Sequence, residues 1–135
     1  MAGPSDDHRA FLLEEERMLL CGGLIADDRA APLVPGESSV ANLLASLEQA
    51  SKMRLRRMAP VHGYIVEEPK KAIPAELELR AEIDQAILAA LKDGASTAAE
   101  IAAITNPDIT DDVLLTVLAD TVAVHLEHLE AADLV

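Results

Sequence analysis

Between Ala59 and Pro69 the chain changes character, and that change limits what it can fold into more than any other feature. Upstream, apolar residues come in short runs broken by turn formers, as strands and loops require. Downstream, they recur at three- and four-residue spacing, the mark of helices packed along one face. The junction, Ala59-Pro60-Val61-His62-Gly63-Tyr64-Ile65-Val66-Glu67-Glu68-Pro69, is the hinge between the two patterns. The expected fold class is therefore α+β.

In the upstream half, Met1 to His8 reads as a loop or extended lead-in because it is polar and contains Gly3 and Pro4. Arg9-Ala10-Phe11-Leu12-Leu13 and Arg17-Met18-Leu19-Leu20-Cys21 flank Glu14-Glu15-Glu16, which suits a β-hairpin; one helix from Asp6 to Leu20 fits the same pattern. Gly22-Gly23 ends either version. Ala26 to Glu37, with Asp27-Asp28, Pro32, Pro35 and Gly36, marks a loop. Ser38 or Ser39 then caps a helix whose Val40, Leu43, Leu44 and Leu47 share a face, running to about Met53. Leu55 to Ala59 turns into a short strand before Pro60.

In the downstream half, Lys70-Lys71 and Pro74 read as a connector, with Pro74 opening a helix from Ala75 to about Lys92 that carries Ile83, Ile87 and Leu91 and stops at Gly94. Thr97 and Glu100 have capping-box spacing and open a short helix through Ile104, which Asn106-Pro107 ends. Thr110 caps a third, with Asp111 and Asp112 in its first turn and Leu114, Leu118, Val122, Leu126 and Leu129 along one face. Three helices joined by short turns fit a winged-helix or helix-turn-helix module. The expected division is 1–69 and 70–135.

Composition removes several functions. The 135 residues suffice for one ordinary domain, or for part of a larger one joined to a small one. Half are apolar, which excludes a disordered chain, but Phe11 and Tyr64 are the only aromatics, so a thin core is expected. A net charge of −13 argues against nucleic acid as a partner; beyond Pro74 the only basic residues are Arg80 and Lys92. The chain would also end at Leu134-Val135, where a wing hairpin would begin. Cys21, the sole cysteine, excludes an internal disulfide and fits a reducing compartment. No apolar run reaches the ~20 residues of a membrane span, and there is no signal-peptide pattern. A soluble, cytoplasmic protein is expected, an organellar matrix being the alternative.

The order of these segments resembles the C-terminal part of the metallo-β-lactamase-fold hydrolases, in particular the branch containing the β-lactamase-like protein 2 endoribonucleases. The matching stretches are Gly3-Pro4-Ser5-Asp6-Asp7-His8, Phe11-Leu12-Leu13-Glu14-Glu15-Glu16, Leu20-Cys21-Gly22-Gly23, Pro60-Val61-His62-Gly63-Tyr64-Ile65-Val66 and His125-Leu126-Glu127-His128-Leu129-Glu130. The resemblance implies part of an αββα sandwich followed by a three-helix winged-helix-like tail. It also implies a zinc-bound hydroxide attacking a phosphodiester, ester or amide, held by converging His and Asp ligands.

The family's first ligand cluster, H-x-H-x-D-H, has no counterpart in this chain. Where the family has a histidine after a glycine, Pro4 follows Gly3; where it has its bridging aspartate, Gly23 follows Gly22. Only His62, at the place of the last histidine, remains, as a vestigial metal ligand. Three protein ligands are the usual minimum for catalytic zinc, so no catalytic residue and no cofactor are expected in the isolated chain, and zinc only if a partner completes the site.

The other candidates have plainer readings. His62 is a turn histidine packed by Val61 and Tyr64; His125 and His128 could form a surface metal pair, but His125 flanks the core face beside Val122 and Leu129. Asp6, Asp7 and His8 form a solvated lead-in, and Cys21 is a buried strand residue rather than a nucleophile. Glu14 to Glu16 make a turn and Glu67-Glu68 a solvated edge. Lys52, Arg54, Arg56 and Arg57 form a solvated helix end complementing the helix dipole. The expected function is that of a non-catalytic binding or regulatory subunit with a protein partner or a second copy. The alternative is a metal-dependent hydrolase or endoribonuclease subunit completed by another chain.

Overall fold

The computed structural model describes residues 1–26 and 30–135; of the expected loop from Ala26 to Glu37, residues 27–29 lie outside the described residues and 30–37 form no helix or strand. The elements run β1 (Phe11–Leu13), β2 (Met18–Gly22), α1 (Val40–Ser51), β3 (Arg57–Pro60), α2 (Pro69–Lys92), α3 (Ala98–Thr105) and α4 (Asp112–Ala131).

The first two runs form a hairpin, not a helix. β1 and β2 pair antiparallel with Phe11 opposite Leu20 and Leu13 opposite Met18. The turn closes with Arg17 N–H donating to Glu14 O at 3.2 Å, and Arg17 takes a φ of 50°. β3 then pairs parallel to β2, Leu19 opposite Met58, which needs a crossover that α1 supplies.

Alternation along the strands sends Leu19, Cys21 and Met58 to one face, all buried, against Val40, Leu43 and Leu47 of α1. Phe11, Leu13 and Leu20 project from the other face and are 64%, 41% and 36% exposed. One side of the sheet is thus covered by helices, and the other is apolar and open among the described residues.

The helix caps follow local chemistry. Ser39 caps α1, accepting from Asn42 N–H at 3.2 Å. Thr97 caps α3, accepting from Glu100 N–H at 3.1 Å, while the Glu100 carboxylate accepts from Ser96 N–H at 3.0 Å. The cap of α4 is Asp111, not the expected Thr110: its Oδ1 accepts from both Val113 and Leu114 N–H, at 2.8 and 3.2 Å. A carboxylate reaching two free N–H groups at the positive helix end outcompetes a hydroxyl one residue too early.

α2 corrects a second expectation. It starts at Pro69, so Lys70, Lys71 and Pro74 lie within it rather than in a connector. Pro69 suits the first helical turn. Pro74 leaves the carbonyl of Lys70 without its helical donor, but Lys70 and Pro74 both face solvent, where water can bond that carbonyl. Burial of Pro69, Ile73, Glu76 and Arg80 on the opposite side holds the turn in place.

Two apolar clusters result. The first joins the sheet, α1, Leu24, Ile25, Leu33, Ile73 and Val124; the second joins Ile87, Ala90, Ile101, Ala102, Val122 and Leu129. The expected division after residue 69 falls at the first turn of α2, a helix that feeds both clusters. Among the described residues no helix is long and apolar enough to cross a membrane.

Candidate functional site

Three of the residues singled out in the sequence lie around the end of β2. Gly22 has a φ of 57°, and a Cβ there would stand 2.5 Å from Nε2 of His8, so no larger residue fits without displacing the imidazole. A Cβ on Gly23 would meet the ring of Pro4 at 3.4 Å, ordinary van der Waals contact. The lead-in is tied down rather than solvated: Ser39 N–H donates to Gly3 O at 3.0 Å, the Ser38 hydroxyl donates to Pro4 O, and the Ser46 hydroxyl to Ala2 O. Positions 4 and 23, far apart in sequence, are therefore neighbours.

His8 fills this end of the sheet. Its Nδ1–H donates to Met1 O at 2.7 Å, and its Nε2 accepts from Gly23 N–H at 3.3 Å. Both nitrogens are engaged, which defines a neutral imidazole holding the lead-in to β2. Of the expected solvated lead-in, Asp6 and Asp7 are exposed, whereas His8 is half-buried.

His62 hangs from the next strand. Val61 N–H donates to Gly22 O at 2.9 Å, and beyond it the chain bends through His62 and Gly63 before Val66 pairs back with Met58. The turn stands at the surface: His62 is exposed, and Val61 and Tyr64 are 67% and 81% exposed.

This end of the sheet does not fit a catalytic zinc ion. Proline and glycine offer no side-chain donor, His8 has both nitrogens committed, and His62 is one imidazole where three ligands are usual. Among the described residues no three His, Cys, Asp or Glu side chains are grouped to hold a metal ion. Cys21 is buried, and burial pushes its thiol up to about 11, so it stays protonated. Arg57 pairs with Glu67 at 3.1 Å on the surface, and Arg54 and Arg56 are exposed. Lys52 caps the C-terminal end of α1, and Arg54, Arg56 and Arg57 follow beyond it.

The strongest cluster of polar chemistry lies elsewhere, between α2 and α4. Arg80 is 1% exposed; its Nε donates to Glu76 Oε1 at 3.1 Å and its Nη2 to Ala31 O at 2.8 Å. Nη1 lies 3.4 Å from Nε2 of His125, whose Nδ1 lies 2.7 Å from Asp84 Oδ1. Leu33 N–H donates to the Thr121 hydroxyl at 3.1 Å, binding the same segment to α4. Burial holds the carboxyl of Glu76 above its ordinary range and the guanidinium of Arg80 below its own, against their mutual attraction.

His125 is thus fully buried, not half of a surface pair with His128. An Asp–His pair can serve a nucleophile, but Arg80 occupies the free nitrogen and no surface of the ring is open to substrate. Sequence reasoning missed this cluster, although a signal existed: Arg80 stands seven residues after Ile73 and seven before Ile87, inside the buried stripe of α2. An arginine sits there where an apolar residue would ordinarily belong.

No protein-family model and no curated protein matches the chain. Solved structures do. A metallo-beta-lactamase family protein from Thermus thermophilus superposes with a TM-score of 0.84 over 98% of this chain and 42% of its own, at 23% identity. A beta-lactamase domain protein from Burkholderia ambifaria gives 0.81 over 98% and 41%, at 20% identity. The chain has the fold of part of these metallo-β-lactamase proteins and spans less than half their length.

Proposed function

We propose that this protein is a non-catalytic relative of metallo-β-lactamase-fold hydrolases that works as a binding or regulatory subunit. The observation that carries this reading is the contact of Pro4 with Gly23: the two places where the family resemblance puts ligands face each other and carry no donor. The resemblance to the endoribonuclease branch, and the reading of α2, α3 and α4 as its winged-helix-like tail, belong to the same proposal, as does a cytoplasmic setting. Phosphate backbones are poor partners for that tail, because α4 exposes Asp112, Asp120, Glu127 and Glu130 and carries no Lys or Arg.

A partner protein is the better fit. Phe11, Leu13 and Leu20 leave an apolar sheet face open beside the unpaired edge of β1, and both gain from cover by an apolar sheet of another chain. The second reading, a zinc-dependent hydrolase or endoribonuclease subunit, draws on the exposure of His62, which leaves its imidazole accessible to ligands supplied by another chain.

Elemental analysis for zinc, with light scattering on the same sample, separates the two. The purified protein is expected to carry well under one zinc per chain, with His62→Ala changing neither metal content nor assembly. Stoichiometric zinc that His62→Ala removes would refute the non-catalytic reading.

A further inference from the structure

His125 is held by two groups of opposite charge, and one of those contacts exists only while the ring is neutral. With its proton on Nδ1, the imidazole donates to Asp84 at 2.7 Å and accepts from Arg80 through Nε2 at 3.4 Å. Arg80 in turn donates to the carbonyl of Ala31, and Thr121, one turn before His125 on α4, accepts from Leu33 N–H. The titratable groups that bear on the ring are Asp84 and Arg80 from α2 and His128 from α4 itself, with Glu76 acting through Arg80. From the segment 30–33 the contacts come from backbone groups.

We infer that the Asp84–His125–Arg80 cluster is a proton-operated latch: a second proton on His125 unfastens α4 and the segment 30–33 from α2. The proton comes from water and takes the Nε2 lone pair, so the bond from Arg80 is lost and two N–H donors face each other. Protonation brings the summed charge of Glu76, Arg80, Asp84 and His125 from −1 to neutral, and Asp84 favours it. Burial and the Arg80 guanidinium oppose it. Burial is the largest influence, holding His125 below its ordinary value of 6.5. Release would bare Leu33 and Val124, now 1% exposed in the sheet-side cluster.

The unfolded chain takes up this proton first. The latch therefore contributes fully above about pH 6.5 and loses its contribution as pH falls below that value toward the folded one. Glu76, held above 4.5, has the opposite sense and favours the fold as pH falls through its own range. A variant that removes only the imidazole separates the two.

Amide hydrogen exchange of Leu33 and of residues 121–129, corrected for intrinsic rates, is compared at pH 7.5 and 5.5 in wild type and His125→Gln. The wild-type opening constant is expected to rise by up to about tenfold per pH unit below 6.5, while the variant stays nearly flat. A flat wild type, or a variant that rises as steeply, overturns the inference. Should His125→Gln fail to fold, NMR titration of the wild-type His125 ring decides. Protonation below the ordinary 6.5, in step with shifts at Leu33 and along α4, supports the latch. Protonation at or above 6.5, or without those shifts, sinks it.

Discussion

Arg80 is where single-residue chemistry counts most. A guanidinium with 1% exposure has left water entirely, and the opposed shifts of Arg80 and Glu76 say that desolvation outweighs their attraction. Such a pair adds little net stability, yet losing one member is costly because the other charge stays buried. Arg80→Ala strands Glu76 and the carbonyl of Ala31 together, so urea denaturation is expected to show a loss of about 3–5 kcal/mol. A loss under 1 kcal/mol would mean that water reaches the site. Cys21 and His62 show how unevenly residue roles could be read from the chain. The buried strand thiol followed from its apolar neighbours, whereas the exposure of the His62 turn depended on how the chain leaves β3.

At the scale of elements, local signals placed most boundaries. Serine and threonine caps, glycine stops and alternating strands act within a few residues, and the structure uses them at β1, β2, α1 and α3. The misplaced start of α2 has a different cause. Proline at an exposed position loses one hydrogen bond, while the face from Pro69 to Arg80 gains burial that no local rule registers. Pro74→Ala restores the bond to Lys70 and removes the ring clash, against a gain in unfolded-chain freedom of about 0.4–1 kcal/mol. A net stabilisation of roughly 1–2 kcal/mol is expected in urea titrations, within the ~3 kcal/mol ascribed to an interior proline. Destabilisation instead would indicate that the proline itself is needed to seat Ile73.

For the whole molecule, the governing fact is a three-stranded sheet that, among the described residues, has helices on one side and an apolar open face on the other. Sheets with two apolar faces are covered on both in folded proteins, by helices or by a second sheet. If the open face is the docking surface, Leu13→Glu with Leu20→Lys abolishes any assembly seen by light scattering while shifting monomer stability by no more than about 0.5 kcal/mol, since both side chains are already exposed. Assembly that survives the double change would place the contact elsewhere. The same scale explains the metal question: ligands converge only when distant segments meet, and here Pro4 lies beside Gly23, two positions with no side-chain donor.

The sequence by itself determined the α+β class, the hairpin as one of two options, the N-caps of α1, α3 and α4 within a residue, and the absence of side-chain donors at positions 4 and 23, because each depends on residue type and near neighbours. Only the tertiary structure decided which option the hairpin residues took, that α2 begins at Pro69, and that Arg80, Asp84 and His125 meet in the interior. Those outcomes turn on burial, and burial is a property of surfaces that face each other only after the chain has closed on itself.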